Sequence, residues 1–457
     1  MAAGAPGLRP EELRAALLSI LDFATHAGAT AADAVLVQHA AFAAGVRLGE
    51  IEKLTDAREK RLGLRVFVGE RSALAATADL TRGGLARCAE DTVALARVTQ
   101  PDPAQGLPER AALATEASDL DLYDDVAAVP SPEDAIARAR AAEAAALASD
   151  PRLTNSEGAE FSQTAATIAY ASTLGFDGGY RSSAFHLGVE PVAVSDGRMQ
   201  RDYWYARARH LARLDDAAEV GRRAGARTVR RLGARRVPTQ EAPVVFEAEV
   251  AASLLRHLAS AVVGQSLYRG TSFLLGRLGE IVASPLVTVV DDGRMPGGHG
   301  SRPFDAEGLA TRRTTVIEDG RLASYLLDVY SARRLGLAST GNAARAVGDT
   351  PSAAPTNLYL AAGTTSPEAI IASVDRGLLV TELIGFGVNA VTGDYSRGAV
   401  GLWIEHGEIA YPVEEITIAG NLLEMFRDID LVGDDLVFRG SVAAPTLKIR
   451  RMTIAGS

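Results

Sequence analysis

The spacing of apolar residues changes period several times along the chain, and each change marks an element. Leu13, Leu17, Leu18 and Leu21 recur at helical spacing behind a first turn of Pro10, Glu11 and Glu12. That pattern predicts a helix from Pro10 to His26. The stretches DAVLVQHAAFAAGVRL (33–48) and RLGLRVFVGERSALAATAD (61–79) read as strands, the second with a hairpin at Gly69-Glu70. GGLARCAEDTVALARVT (83–99) is a second helix and carries Cys88. Residues 100–135, rich in Pro, Asp and Ala, predict a long, partly ordered connection ending at the helix start Ser131-Pro132-Glu133-Asp134. From Leu153 to Arg213 the pattern is short strands and glycine turns. A helix from Ala217 to Leu232 and a proline-containing joint, RRVPTQEAP, then mark a domain boundary. Beyond Pro243 the chain is strand-rich. An apolar helix, LLRHLASAVVGQSLYRG (Leu254–Gly270), lies early in it, and SPEAIIASVDRG forms another.

Turn chemistry sets the fold class. Ser195-Asp196-Gly197, Glu318-Asp319-Gly320 and Glu405-His406-Gly407 each end in a pair suited to a tight hairpin, and Asp291-Asp292-Gly293 resembles them. Their irregular spacing argues against a repeat array. Few helices among many strands favour α+β over a doubly wound parallel sheet. The expected organisation is an N-terminal α+β subdomain (1–105), a central α+β subdomain preceded by a linker (106–240), and a C-terminal domain (241–457). The last should be dominated by curved antiparallel sheet with the apolar helix against it.

Composition narrows the function. With 47 basic and 57 acidic residues the net charge is −10, which disfavours nucleic acid and anionic membranes as partners. The single cysteine, Cys88, excludes an internal disulfide and fits a reducing compartment. The N-terminus lacks the cationic start and apolar run of a signal peptide. No uninterrupted apolar run approaches the roughly 20 residues a membrane span needs. A cytoplasmic setting is expected.

The familiar catalytic motifs are weak or absent. His26, His39, His186, His210, His257, His299 and His406 are the histidines, and no two lie within five residues of each other. There is no H-E-x-x-H and no C-x-x-C. Asp394-Tyr395-Ser396-Arg397-Gly398 lacks the first glycine of a nucleophile elbow, so Ser396 reads better as a turn serine satisfied by backbone than as a nucleophile. Gly385-Phe386-Gly387-Val388-Asn389-Ala390 fits G-x-G-x-x-A, but Gly393 follows too soon for the helix a dinucleotide site requires. It reads as a strand connection. Arg222, Arg223, Arg227, Arg230, Arg231, Arg235 and Arg236 cluster on and after one helix. Without interleaved aromatics they read as a solvated face, then as a docking face for an acidic partner, and last as a nucleic-acid site.

The C-terminal third carries a family likeness. VTELIGFGVNAVTGDYSRGAVGLWIEHGEIAYPVEEITIAGNLLEMF, with SLYRGTSFLLGRLGE, TRRTTVIEDGRLASYLLDVYSARRLGLASTGNA and RLTNSEGAEF, resembles the PmbA (TldE) branch of the TldD/PmbA family. The likeness runs from about residue 12 to the end. It implies that Asn389, Thr392, Gly393, Asp394, Tyr395, Ser396 and Arg397 form a signature segment that is a candidate wall of a peptide chamber.

TldD members of that family are metallopeptidases with H-E-x-x-x-H on the helix before a G-T-S segment, completed by a cysteine near the C-terminus. Counting back from Gly270-Thr271-Ser272, the first histidine falls on Leu255, the glutamate on Arg256 and the second histidine on Ser260. The cysteine position falls on Arg439, and His257 is out of register. Catalytic zinc needs about three protein ligands, an open position for water and a base for its proton. Every such position is replaced here. The resemblance therefore implies a metal-less subunit of a heterodimer whose TldD-type partner holds the zinc. Together they would cut unfolded or extended peptides, including leader segments of modified peptides. The alternatives are a stand-alone, homodimeric peptide-binding protein and, behind it, an independent hydrolase using Ser396. In the first reading Leu255 fills the space a ligand would have occupied, against Leu254, Leu258 and neighbouring strands.

Overall fold

The structure, a computed structural model, describes residues 9–115 and 118–456. Residues 1–8, the start of the stretch read for a leader, lie outside the described residues, as do 116, 117 and 457.

The first half is built on one antiparallel sheet. Its strands run in the order Arg71–Thr77, Glu50–Val68, Ala31–Arg47, Leu153–Ser172, Asp177–Ser195 and Arg198–Arg201, with Trp204–Ala208 also paired to Asp177–Ser195. The expected short strands between Leu153 and Arg213 are instead up to 20 residues long. The reason is that the two central strands, Ala31–Arg47 and Leu153–Ser172, each serve two cores. Near one end, Leu36, Leu64 and Ala171 pack under helices Pro10–His26 and Arg82–Val98. Near the other, Phe42, Phe161 and Leu187 pack under helices Pro132–Ala148 and Ala217–Val229. A strand of 20 residues reaches about 65 Å at the usual rise, enough for both. The two N-terminal subdomains drawn from the sequence thus share a single sheet.

The turns follow their chemistry where two residues must both take positive φ. Asp196-Gly197, Asp319-Gly320 and His406-Gly407 do so, as does Leu48-Gly49. Asp291-Asp292-Gly293 does not make a hairpin. Strand Val289–Asp292 continues into Gly293, whose N–H donates to the Arg312 carbonyl at 3.1 Å.

The second half closes on itself. Strands Glu408–Asn421, Asp394–Glu405, Arg376–Ile384, Gln240–Phe246 and Leu447–Ala455 pair in that order, and Leu447–Ala455 returns to Glu408–Asn421 through Thr417 opposite Ala455. All these pairings are antiparallel except Arg376–Ile384 with Gln240–Phe246, which is parallel. A second, smaller sheet runs in the order Arg321–Leu322, Arg313–Glu318, Val289–Asp292, Leu358–Leu360, Val442–Ala443. Helix Ala248–Val262 is buried between the closed sheet and the smaller one, in a core that includes Phe246, Leu358, Val380 and Trp403. Helix Pro367–Ala372, capped by Ser366, is shorter than its sequence pattern suggested, because Arg376 already begins a strand.

The halves are tied together. The connection after residue 100 is pinned by Tyr330, whose hydroxyl donates to Asp102 at 2.8 Å, and by Arg333, which donates to the Ala104 and Leu107 carbonyls. Deeper in, Asp33 accepts from Arg65 Nε at 3.1 Å and from Arg345 at 2.8 Å, while Arg65 lies 3.5 Å from Glu307. Asp33 and Arg65 face each other across neighbouring strands of the first sheet, whereas Arg345 and Glu307 come from the second half.

Candidate functional site: a cationic cleft between the two halves

Strand Gln240–Phe246 passes through Glu247 directly into helix Ala248–Val262. One face of this helix is core: Val250, Leu254, Leu255, Leu258 and Val262 are buried. Ser253, Arg256, His257 and Ser260, spaced i, i+3, i+4, i+7, share the opposite stripe and line a cleft. The helix does not run to Gly270 as its apolar pattern suggested. Val263 turns extended (φ −78°, ψ 142°) and Gly264 N–H donates to the Leu326 carbonyl, so a separate short helix, Gly264–Tyr268, follows. At Gly264 a Cβ would collide with Ser331 Oγ, which requires glycine there.

The cleft has a volume of about 530 Å³. Across from the helix stand Tyr203, Trp204 and Tyr205, from the first half of the chain. The connection Gly385–Ala390 forms its lip, and Phe386 on that lip is 99% exposed. Gly387 holds the lip close, since a Cβ there would overlap the Ser396 carbonyl. A more open hollow of about 580 Å³ shares Tyr203, Trp204, Tyr205 and Arg256 with the cleft and adds Arg439.

The acids around the cleft are all engaged. Glu249 accepts from Arg439 at 2.9 Å and from the Tyr205 hydroxyl at 3.1 Å. Glu382 accepts from Arg231 at 2.6 Å. Glu247, at the helix start, accepts from Arg227 at 2.8 Å and also meets Arg230. Burial pushes the Glu247 carboxyl up, but Arg227 and Arg230 outweigh it and hold it below its ordinary value. Burial, helped by Arg397 and Arg256, lowers the pKa of His257 and so favours its neutral form. Burial also pushes the Tyr395 hydroxyl, which stands edge-on to His257, up to about 12.

The arginine cluster is only partly the solvated face its sequence suggested: Arg222, Arg223, Arg235 and Arg236 are exposed, but the others are not. Arg227 and Arg231 are each 8% exposed and reach Asp202 as well as the acids above. Arg223 stacks on Trp204 at 3.7 Å and Arg235 on Tyr411 at 3.5 Å, while Arg236 pairs with Glu415 and Arg222 with Glu219. Nearly all these partners come from other segments, which local sequence could not show.

The four positions counted from the family motif part company in space. Leu255 is 1% exposed, inside the core with Leu254 and Leu258. Arg256 and Ser260 line the cleft, and Ser260 donates back to the Arg256 carbonyl at 3.0 Å. Arg439 lies in the adjoining hollow, paired with Glu249. The signature segment divides likewise. Asn389, Thr392, Gly393 and Asp394 knit a loop: Asn389 accepts from Val391 N–H at 2.9 Å, and the Thr392 hydroxyl donates to Asp394 at 2.6 Å. Tyr395 is core and Ser396 is exposed on strand Asp394–Glu405, not in a turn. Only Arg397 of the seven lines the cleft. Sequence reading missed Ser253, Glu249 and the Tyr203–Tyr205 wall. The polar stripe Ser253, Arg256, His257, Ser260 was the available signal for the first.

The donor set does not fit zinc. A core leucine and two guanidinium groups offer it no ligand, and a serine occupied by its own helix offers a poor one. Among the described residues no group of three His, Cys, Asp or Glu stands close enough to hold a metal ion.

Comparison with known proteins places this architecture. Three parts of the chain match successive domains of the PmbA/TldA metallopeptidases: domain 1 over residues 32–96, the central domain over 127–232 and the C-terminal domain over 239–456. The chain belongs to the TldD/PmbA metallopeptidase family, in its PmbA (TldE) branch. It is 40% identical to Metalloprotease PmbA of Escherichia coli O157:H7 over 90% of this chain and 89% of that one. It is 36% identical to the Metalloprotease PmbA homolog of Haemophilus influenzae over 98% and 97%. The fold matches the crystal structure of TldE from Thermococcus kodakarensis with a TM-score of 0.88 at 23% identity, covering 96% of this chain and 100% of that one. The same H. influenzae strain also has a Metalloprotease TldD homolog, 32% identical to this chain over 50% of each. No helix among the described residues is long and apolar enough to cross a membrane.

Proposed function

We propose that this chain is the non-catalytic, TldE-type subunit of a heterodimeric zinc metallopeptidase. In this reading the complex works in the cytoplasm on unfolded or extended peptides, including leader segments of modified peptides. The zinc belongs to a TldD-type partner, and this chain helps enclose the chamber. One observation carries the reading. Where the metal-bearing branch has its ligands and base, this chain has a core leucine, an arginine, a back-bonded serine and an ion-paired arginine. The pairing of PmbA and TldD homologues in one organism supports a two-chain complex.

The test is co-purification with a TldD-type homologue from the same genome, followed by cleavage assays of an unfolded peptide. Neither zinc nor cleavage is expected from this chain alone. Cleavage is expected from the mixture and should stop on chelation. About one zinc per isolated chain, retained after mild chelation, would overturn the reading. So would cleavage by the isolated chain that Ser396→Ala abolishes, which would establish the serine hydrolase instead.

A further inference from the structure

We infer that the cleft beside helix Ala248–Val262 binds a carboxylate of an extended peptide between Arg256 and Arg397, with an adjacent apolar side chain of that peptide against Phe386. This rests on the peptide-handling role proposed above.

The charges around the cleft are unequally matched. Its carboxylates, Glu249 and Glu382, are occupied by Arg439 and Arg231. Of its arginines, Arg227 is occupied by Glu247 and Asp202. Arg256 has no ion-pair partner among the described residues, and Arg397 meets the Leu383 carbonyl at 3.4 Å and the Tyr395 hydroxyl, neither of which is a counter-charge. Two guanidinium groups are thus left without a counter-charge at one semi-enclosed place. A planar fork of N–H donors suits a carboxylate, which it can meet with two parallel hydrogen bonds.

The polar atoms nearby point the same way. Ser253 Oγ, His257 Nε2 and Arg397 Nε are buried and have no hydrogen-bond partner. All belong to residues that line the cleft, and His257 Nε2 donates in one of its tautomers. Buried donors without acceptors are rare in folded proteins, and an unmatched set of them calls for an acceptor-rich group. The surroundings choose a peptide over inorganic phosphate or nucleic acid. The molecule as a whole is acidic, and the lip presents Phe386 almost fully to solvent, with Leu383 and Val388 beside it. The carboxylate can come from the peptide's C-terminus or from an Asp or Glu side chain.

The experiment measures binding to the isolated full chain. The probes are four labelled ten-residue peptides of one Gly/Ser/Ala/Leu sequence: free C-terminus, amidated, amidated with a central Glu, and amidated with a central Gln. A peptide carrying a carboxylate should bind at least tenfold tighter than its amide counterpart, and whichever pair shows the difference identifies the source. Arg256→Gln and Arg397→Gln should each remove the difference. Arg256 is exposed, so its variant keeps the test valid if Arg397→Gln fails to fold. Phe386→Ala should weaken all four peptides alike. Equal binding of all four overturns the inference, as does a preference that survives both arginine variants. Loss of capture of a TldD-type chain by Arg256→Gln, with no carboxylate preference, also overturns it and assigns the arginines to an acid of that partner. The subunit reading fails separately, if the metal-bearing homologue is equally active without this chain.

Discussion

Two charged regions of this protein are built on opposite rules. At the junction of the halves, Asp33, Arg65, Arg345 and Glu307 are almost fully buried, and Asp33 faces both guanidinium groups. In the cleft, two arginines are partly exposed and lack a counter-charge, while nearby donors lack acceptors. The first arrangement holds two parts of one chain in place. A buried charge is tolerated only when paired and hydrogen-bonded. The second is left open, which is what a site that must accept an outside group requires. Charge alone does not separate a structural site from a binding one. What separates them is whether each cation has an opposite charge in reach, since Arg345 at the junction is ion-paired even though two of its buried nitrogens have no hydrogen-bond partner.

Four substitutions test this contrast. The largest effect is expected from Asp33→Ala, which leaves Arg65 and Arg345 without their shared carboxylate in a dry interior. Removing one partner of a buried ion pair costs about 3–5 kcal/mol. Denaturant unfolding should show a loss of that size, and a loss below about 1 kcal/mol would mean the junction behaves like a surface pair. Second, Leu255→Ala should cost about 2–5 kcal/mol as a cavity in a packed core. Ser260→Ala, on the cleft side of the same helix, should change stability by no more than about 0.5 kcal/mol. Equal costs on the two faces would undo the division of that helix into core and cleft.

The last effect is read as a slope with pH. Burial raises the Glu307 carboxyl from 4.5 to about 8 in the folded chain, although Arg65 opposes the rise. Folding therefore favours the protonated form. The stability this contributes is full below about pH 4.5 and is lost as pH rises through about 8. Between those limits the loss approaches about 1 kcal/mol per pH unit. Glu307→Gln keeps an acceptor for the Val329 N–H and should flatten the fall in melting temperature across that window. Asp305, also pushed up by its burial, leaves a residual slope in the same direction. An unchanged slope in the variant would place the proton elsewhere.

Much of the local structure was legible from residue order. Helix Pro10–His26 ends where its spacing and first-turn proline said, and Gly69 turns the hairpin between Val68 and Arg71. The apolar run Leu254–Gly270 misled because periodicity does not register a backbone interruption imposed from outside. Val263 leaves the helix to pair with Leu326, a residue 63 positions away. The arginine cluster misled in part for the same reason, since Glu247, Glu382 and Asp202 reach Arg227, Arg230 and Arg231 from other segments. Ser396 was read as a turn residue, but Asp394 already begins the strand that carries it.

The sequence by itself determined the family, and it set the side chains at Leu255, Arg256, Ser260 and Arg439, which offer zinc no good ligand. Which atoms a side chain can offer a metal depends on its chemistry, whatever the fold around it. It also determined the two-residue hairpins, because positive φ at Gly197, Gly320 and Gly407 is a local preference. Only the tertiary structure decided that one sheet spans both N-terminal subdomains, that Leu255 turns to the core while Arg256 turns to the cleft, and that Arg227 and Arg231 find acids while Arg256 does not. Those outcomes depend on which distant segments meet, and pairing across distant segments leaves no mark on the spacing of neighbours along the chain.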